Sequence, residues 1–291
     1  GDTLLRDTHV GTASRAVFTH YGFNRNPWNH QMQFKDHIVA RDTFPEGSGF
    51  TATYHFNIEN STNYKKFRAV IEQGNLWKQI TVNGKPIKPV AKAWWLDRSF
   101  AVLQIGDYLK AGNNILSVTV NPMRVYAEIE PVYILGDFNL QTADKGWQIV
   151  PPKPLQPGSW KDQGMPLYGA GISYVKKFNL DKTNERFELQ LGEWKGTVAA
   201  VKINGKPAGI IFSGPNTLDV TKYMKKGNNL VEVKVIGSLK NLLGPHHNSP
   251  KPGMVGPHHW WNIKTYPPGK DYDTYDYGLM EDFELLQYTN K

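Results

Sequence analysis

The sequence predicts an all-β chain of two tandem β-sandwich domains of jelly-roll type, on three observations. The first is a duplication: Val82-Asn83-Gly84-Lys85-Pro86 returns as Ile203-Asn204-Gly205-Lys206-Pro207. Each copy is followed by a second shared phrase, Tyr108-Leu109-Lys110-Ala111-Gly112-Asn113-Asn114 and then Tyr223-Met224-Lys225-Lys226-Gly227-Asn228-Asn229. The second observation is a period of two. Phe50, Ala52, Tyr54, Phe56 and Ile58 alternate with polar neighbours, and Leu116, Val118 and Val120 alternate with Ile115, Ser117 and Thr119, the spacing of a strand with one face buried. The third is that signals for helix are nearly absent.

Taken along the chain, equivalent strands are expected at Phe67 to Ile71 and Phe187 to Leu191. Asn-Gly at 83–84 and 204–205 reads as a tight hairpin turn with positive φ, and Gly-Asn-Asn at 112–114 and 227–229 starts a further strand. Short antiparallel strands separated by turn residues imply two packed sheets in each domain. The boundary is placed near Glu130-Pro131, giving a first sandwich over residues 1–131 and a second over 132–291, opened by the apolar run Val132-Tyr133-Ile134-Leu135. The Pro-rich stretch from Pro151 to Pro157 reads as an extended crossing rather than an interdomain linker. Loop-rich stretches are expected at 20–49 and 238–275. Asn83 precedes Asn113 by 30 residues while Asn204 precedes Asn228 by 24, so the first copy carries six more, near Trp94 and Trp95.

Composition narrows the function. At 291 residues, 40% hydrophobic and 21% charged, the chain can bury two cores. The absence of cysteine excludes disulfides, thiolate catalysis and cysteine-ligated zinc. The net charge of +8 is spread along strands such as Val231-Glu232-Val233-Lys234-Val235 and forms no clustered stripe, so no nucleic-acid partner is expected. No apolar run reaches the roughly 20 residues of a membrane span. A chain that starts at Gly1 without Met is read as a processed or excised piece, with a signal peptide or upstream domains outside it.

The second copy resembles the sugar-binding domain of family-two glycoside hydrolases, a galactose-binding-like jelly roll. The resemblance runs through Ser159-Trp160, Tyr168-Gly169, Tyr174, Phe178, Leu189, Val201, Asn204-Gly205 and Pro215, and ends with Leu218-Asp219-Val220-Thr221 and Gly227-Asn228-Asn229. The first copy is similar but more divergent, with Gln104-Ile105-Gly106 where the second has Asp-Val-Thr. Such a pair resembles accessory sandwiches of polysaccharide-degrading enzymes, including α-L-rhamnosidase-like proteins of bacteria. The resemblance implies that catalysis resides in a separate barrel, that the family's catalytic glutamates have no counterpart here, and that the protein is secreted, periplasmic or on a bacterial cell surface. It also leaves room for a structural calcium ion, for which Asp271, Asp273 and Asp276 are candidates; they lack the glycine and glutamate that would complete an EF-hand.

Several clusters carry candidate chemistry. Gly244-Pro245-His246-His247 is echoed by Gly256-Pro257-His258-His259-Trp260-Trp261, and these rings could stack on pyranose faces while imidazoles bond hydroxyls. Sealing one end of a sandwich is the alternative. Zinc is a competing use of the same histidines, requiring one residue from each pair to converge. Trp94 and Trp95 point to opposite sides, so that one fills the core while the other meets a ligand or a partner domain. Glu128 and Glu130 share one face of an expected strand with Ile129 on the other, which is not the flanking geometry a glycosidase needs. No Gly-x-Ser-x-Gly elbow or phosphate loop is present.

The expectation is a non-catalytic sandwich pair of a glycoside hydrolase that binds a glycan or positions a catalytic domain, with no resident cofactor. Its carbohydrate-binding candidates are Trp94, Trp95, His246, His247, His258, His259, Trp260 and Trp261. The alternatives are a glycoside hydrolase active in its own right, using carboxylates among Glu128, Glu130, Asp271 and Asp273, and a structural interaction module docking through Trp94, Trp95 and the basic surface.

Overall fold

The structure, a computed structural model, describes residues 5–29, 32–244 and 266–288. The chain divides into two compact units, Gly1–Pro152 with Ser249–Tyr272, and Lys153–Asn248 with Asp273–Lys291. Both are all-β, built from mainly antiparallel sheets around an apolar core.

In the first unit, β1 (Phe50–Ile58), β2 (Arg68–Glu72), β3 (Gln79–Val82), β4 (Lys85–Pro86), β5 (Trp94–Trp95), β6 (Asp97–Gln104), β7 (Gly112–Val120), β8 (Tyr133–Leu135), β9 (Asn139–Thr142) and β10 (Trp147–Val150) form two sheets. Their orders are β4-β3-β7-β1-β10-β9 and β5-β6-β2-β8. The inward residues of both, among them Ile58, Phe67, Ala69, Ile71, Val82, Leu103, Ile105 and Leu116, close one core.

The second unit repeats that order. Its strands are β11 (Gly171–Leu180), β12 (Arg186–Leu191), β13 (Trp194–Lys195), β14 (Val198–Ile203), β15 (Lys206–Ile211), β16 (Thr217–Asp219), β17 (Gly227–Ile236), β18 (Gly278–Leu279) and β19 (Phe283–Tyr288). The sheet β15-β14-β17-β11 matches β4-β3-β7-β1 strand for strand, and β16-β12-β19 matches β6-β2-β8. The core is made of Trp160, Phe187, Leu189, Val201, Ile203, Val231, Val233, Val235, Leu279 and Phe283.

The duplicated phrases turn out to be one hydrogen-bonded device used twice. Asn83 and Gly84 both have positive φ (50° and 79°), as do Asn204 and Gly205 (52° and 79°), the requirement of a two-residue type I′ hairpin. The Asn83 amide donates to the Asn114 side chain (2.8 Å) and to the Tyr108 carbonyl (2.9 Å), and its oxygen accepts from the Ile115 amide (3.0 Å). Asn114, fully buried, accepts from the Lys110 amide and donates to the Lys110 and Gly112 carbonyls. Asn204 and Asn229 make the same bonds with Leu230, Tyr223, Lys225 and Gly227. Each pair ties the β3–β4 or β14–β15 hairpin to the loop that starts β7 or β17, and leaves no buried amide unpaired.

Three sequence expectations change. Val132–Leu135 does not open the second sandwich: β8 pairs antiparallel with β2 and occupies the place that β19 holds beside β12. The chain then continues in the first unit through the β9–β10 hairpin, whose Ile149 aligns parallel to Ile58 of β1. The first unit therefore extends to Pro152 rather than 131, and the Pro-rich stretch from Pro151 carries the chain from one unit to the other. Finally, helices occur among the described residues: α1 (Val10–His20), α2 (Lys35–Val39) and α3 (Lys240–Leu243). The first two cover a satellite core of Phe18, Phe23, Ile38, Val120, Met123, Val125 and Ala127. The His9 side chain caps α1 by accepting from the Gly11 amide (3.1 Å).

Candidate functional site

The first unit contains a cavity of about 340 Å³ walled by Trp28, Trp77 and Tyr126 and lined by the carboxyls of Glu72, Glu128 and Glu130, with Asn29, Gln33 and Gln73 at its margin. Each wall is fixed locally. Trp28 lies in a 3-10 turn, Pro27–Asn29, that the buried Asn26 side chain holds by accepting from the Trp28 amide (3.0 Å). Its indole N–H donates to the Val125 carbonyl (2.6 Å), and its ring stacks on Tyr126 with centroids 5.2 Å apart and planes 19° from parallel. The Trp77 indole donates to the Glu72 carbonyl (3.0 Å), and its ring meets Phe50 edge-on at 6.0 Å.

The segment that supplies Tyr126, Glu128 and Glu130 lies between β7 and β8. It keeps a period of two without being a ladder strand: Val125, Ala127 and Ile129 are buried, and the three intervening side chains turn to the cavity. The shared face expected for Glu128 and Glu130 is present, although the expected strand is not. Ser14 of α1 anchors the segment by accepting from the Ile129 amide (3.3 Å) and from the Asn26 side chain (3.3 Å). Asn26 in turn donates to Glu128 Oε1 (2.6 Å).

Electrostatically the cavity is single-signed. Burial pushes the Glu128 carboxyl up to about 7, against the lowering effect of the Asn26 hydrogen bond and with a further push from Glu72. Burial, then the charges of Glu128 and Glu72, push Glu130 up to about 8. Glu72 is raised by burial and by Asp97. No basic side chain among the described residues lines the cavity or lowers any of the three. At neutral pH the raised Glu128 and Glu130 carboxyls are protonated for much of the time and can both accept and donate hydrogen bonds, beside aromatic rings suited to stacking.

The sequence-derived candidates are distributed differently. Trp94 and Trp95 form β5, which reverses into β6 at Leu96 (φ 62°). Trp94 is 55% exposed. Trp95 is half-buried against Tyr133 (centroids 5.6 Å), whose ring also meets Phe100. Tyr133 feels the charges of Glu130 and Glu72, after burial as the main cause of a pKa near 12, so Trp95 adjoins the acidic cavity without lining it. His246, His247, His258, His259, Trp260 and Trp261 lie outside the described residues. Asp276 is engaged by Ser159 (2.8 Å), Lys161 (3.1 Å) and Lys195 (3.8 Å), and among the described residues no group of three His, Asp or Glu side chains is arranged to hold a metal ion. Trp28, Glu72, Trp77 and Tyr126 were not singled out by sequence; the only local sign was the alternation of Tyr126, Glu128 and Glu130.

No protein-family model matches the chain. A curated protein of Formosa agariphila named "Putative beta-glucuronidase" is 37% identical over 144 residues, which are 47% of this chain and 12% of that protein. Among solved structures, a rhamnosidase from Novosphingobium sp. PP1Y overlaps 84% of this chain and 22% of its own, at 18% identity and a TM-score of 0.34. The α-L-rhamnosidase of Streptomyces avermitilis, complexed with L-rhamnose, overlaps 84% of this chain and 26% of its own, at 14% identity and a TM-score of 0.27. The chain spans a small part of each of these proteins. The units are all-β, and over 47% of its length the chain is similar in sequence to the protein named "Putative beta-glucuronidase".

Proposed function

We propose that this chain is a non-catalytic accessory region of a glycoside hydrolase, and that its first unit binds a glycan in the cavity walled by Trp28, Trp77 and Tyr126. The carrying observation is the cavity itself: fixed aromatic faces beside carboxyls and amides, in a volume within the roughly 300–1,000 Å³ range of small-molecule sites. Pyranose C–H faces stack on indole and phenol rings while hydroxyls donate to carboxylates. Trp94, exposed on β5, is proposed as an outer contact for a longer chain of sugars or for a catalytic domain of the same protein. The histidine and tryptophan segment at 246–261 remains a proposed sugar-facing surface. A glycan array followed by calorimetry on wild type and Trp28→Ala is the test. Binding lost in the variant supports the reading, and silence of the wild type across plant, algal and host polysaccharides leaves only the domain-positioning role.

A second reading is favoured by one observation: carboxyls raised to about 7 and about 8 in a cavity are where proton donors of glycosidases are found. It makes the chain a hydrolase in its own right. Turnover of aryl glycosides that disappears in Glu130→Gln would establish it, and rates equal to the buffer blank would end it.

A further inference from the structure

The cavity has a chemistry more specific than sugar binding in general. Three carboxyls from two separate elements, β2 and the segment before β8, face one space, and no cationic side chain among the described residues lines it or lowers Glu72 or Glu130. The rings of Trp28, Trp77 and Tyr126 line the same space, and aromatic rings attract cations. The chain as a whole carries a formal charge of +8, so an acidic, aromatic cavity stands out against a basic background. A uronic acid would bring a fourth carboxylate into this space with nothing to pair with it, a like-charge cost that discriminates against it.

We propose that the cavity selects a pyranose bearing a protonated amine, an amino sugar with its nitrogen free, over neutral or N-acetylated sugars and over uronates. This rests on the glycan-binding reading above. The ammonium supplies the missing counter-charge to Glu72, Glu128 and Glu130, and the sugar ring stacks between Trp28 and Trp77. The titratable groups lining the site are those three carboxyls and the Tyr126 phenol, and those that act on the carboxyls from behind are Asp97 beside Glu72 and the phenols of Tyr54, Tyr133 and Tyr266 around Glu130. An incoming cation favours the ionised glutamates, so binding near pH 7 expels protons from Glu128 and Glu130.

The test is calorimetry of the whole chain with tetramers of glucosamine, of N-acetylglucosamine and of an alternating glucuronate oligosaccharide, in two buffers of different ionisation enthalpy. The expected result is at least about tenfold tighter binding of the glucosamine tetramer than of its acetylated form, no heat from the uronate, and proton release on binding. Glu72→Gln and Glu130→Gln, with their melting curves checked, should each bring the amine and acetyl forms closer together. Because the chain is basic overall, non-specific attraction of a cationic oligomer is disfavoured, and binding that survives Trp28→Ala unchanged would overturn the proposal. Equal or tighter binding of the acetylated or uronate tetramer would overturn the selectivity while leaving the glycan-binding reading standing. No binding of any of the three would count against both.

Discussion

Replacing Asn229 with alanine tests whether the duplicated phrase is a structural device. The side chain is fully buried and four hydrogen bonds end on it: it accepts from Asn204 Nδ2 (2.9 Å) and the Lys225 amide (3.0 Å), and donates to the carbonyls of Lys225 (2.7 Å) and Gly227 (3.0 Å). Alanine removes the bonding side chain from all four partner groups, and at a net of about 1 kcal/mol per bond the loss is about 4 kcal/mol. That is a large share of the stability of an ordinary domain. With a urea dependence of about 2 kcal/mol per molar, the midpoint of the second unit's transition should fall by about 2 M. Urea unfolding combined with hydrogen exchange over residues 225–236 measures it, and Asn114→Ala is the matching change in the first unit. Asn229→Asp should be no milder at neutral pH, because a carboxylate oxygen then faces the Lys225 and Gly227 carbonyls. A loss below about 1 kcal/mol would refute the reasoning, since the hairpin and the loop would then hold without the amide between them.

Other outcomes follow from single contacts. Glu128 and Glu130 titrate in the folded first unit at about 7 and about 8, above their unfolded range, so the folded state binds more protons between these limits. As far as these groups are concerned, its stability should be greatest below about pH 4.5, fall as pH rises from there to about 8, and level off above. Glu130→Gln should flatten that fall in a series of melting curves; an unchanged slope would contradict the burial argument. Gly106→Ala should cost about 3 kcal/mol, because an added Cβ would lie 2.0 Å from the Lys65 carbonyl oxygen, and a stability within 0.5 kcal/mol of wild type would show that the loop can yield. Trp94→Ala, at an exposed site, should leave stability within about 0.5 kcal/mol and lower affinity only for glycans longer than the cavity, as a length series in calorimetry would reveal.

The frame was legible because its signals are local and its bonds are specific to residue type. Asn-Gly supplies two positive φ values, and Gly-Asn-Asn supplies a buried amide at a fixed distance from them, so the phrase and the geometry coincide. The boundary was not legible, because an apolar run such as Val132–Leu135 records that it is buried without recording beside which strand. The pairing of β8 with β2, and of β10 with β1, brings together residues more than 60 apart. Helix α1 was missed for a physical reason too: it starts with Val-Gly-Thr-Ala-Ser, has no acidic residue in its first turn, and is capped by a histidine instead of the usual Ser, Thr, Asp or Asn.

Comparing the two copies explains why the cavity belongs to one of them. Phe67 and Phe187 are equivalent, since their carbonyls accept from Ile105 and Val220 at the same point of each sandwich. On that alignment Glu72, five residues on from Phe67, corresponds to Gly192, five on from Phe187. Trp28 comes from the stretch ahead of β1, and Tyr126, Glu128 and Glu130 from the segment between β7 and β8, neither of which is part of the repeated phrases. What the copies share is the set of bonds that holds a sandwich shut, and what lines the cavity lies outside that set. The aromatic side chains also pack on the first unit's cores, whereas burying Glu128 and Glu130 beside Glu72 opposes folding as pH rises toward about 8. A ligand that supplies the opposite charge removes that opposition, which is why the first unit should gain stability from such a ligand and the second should not.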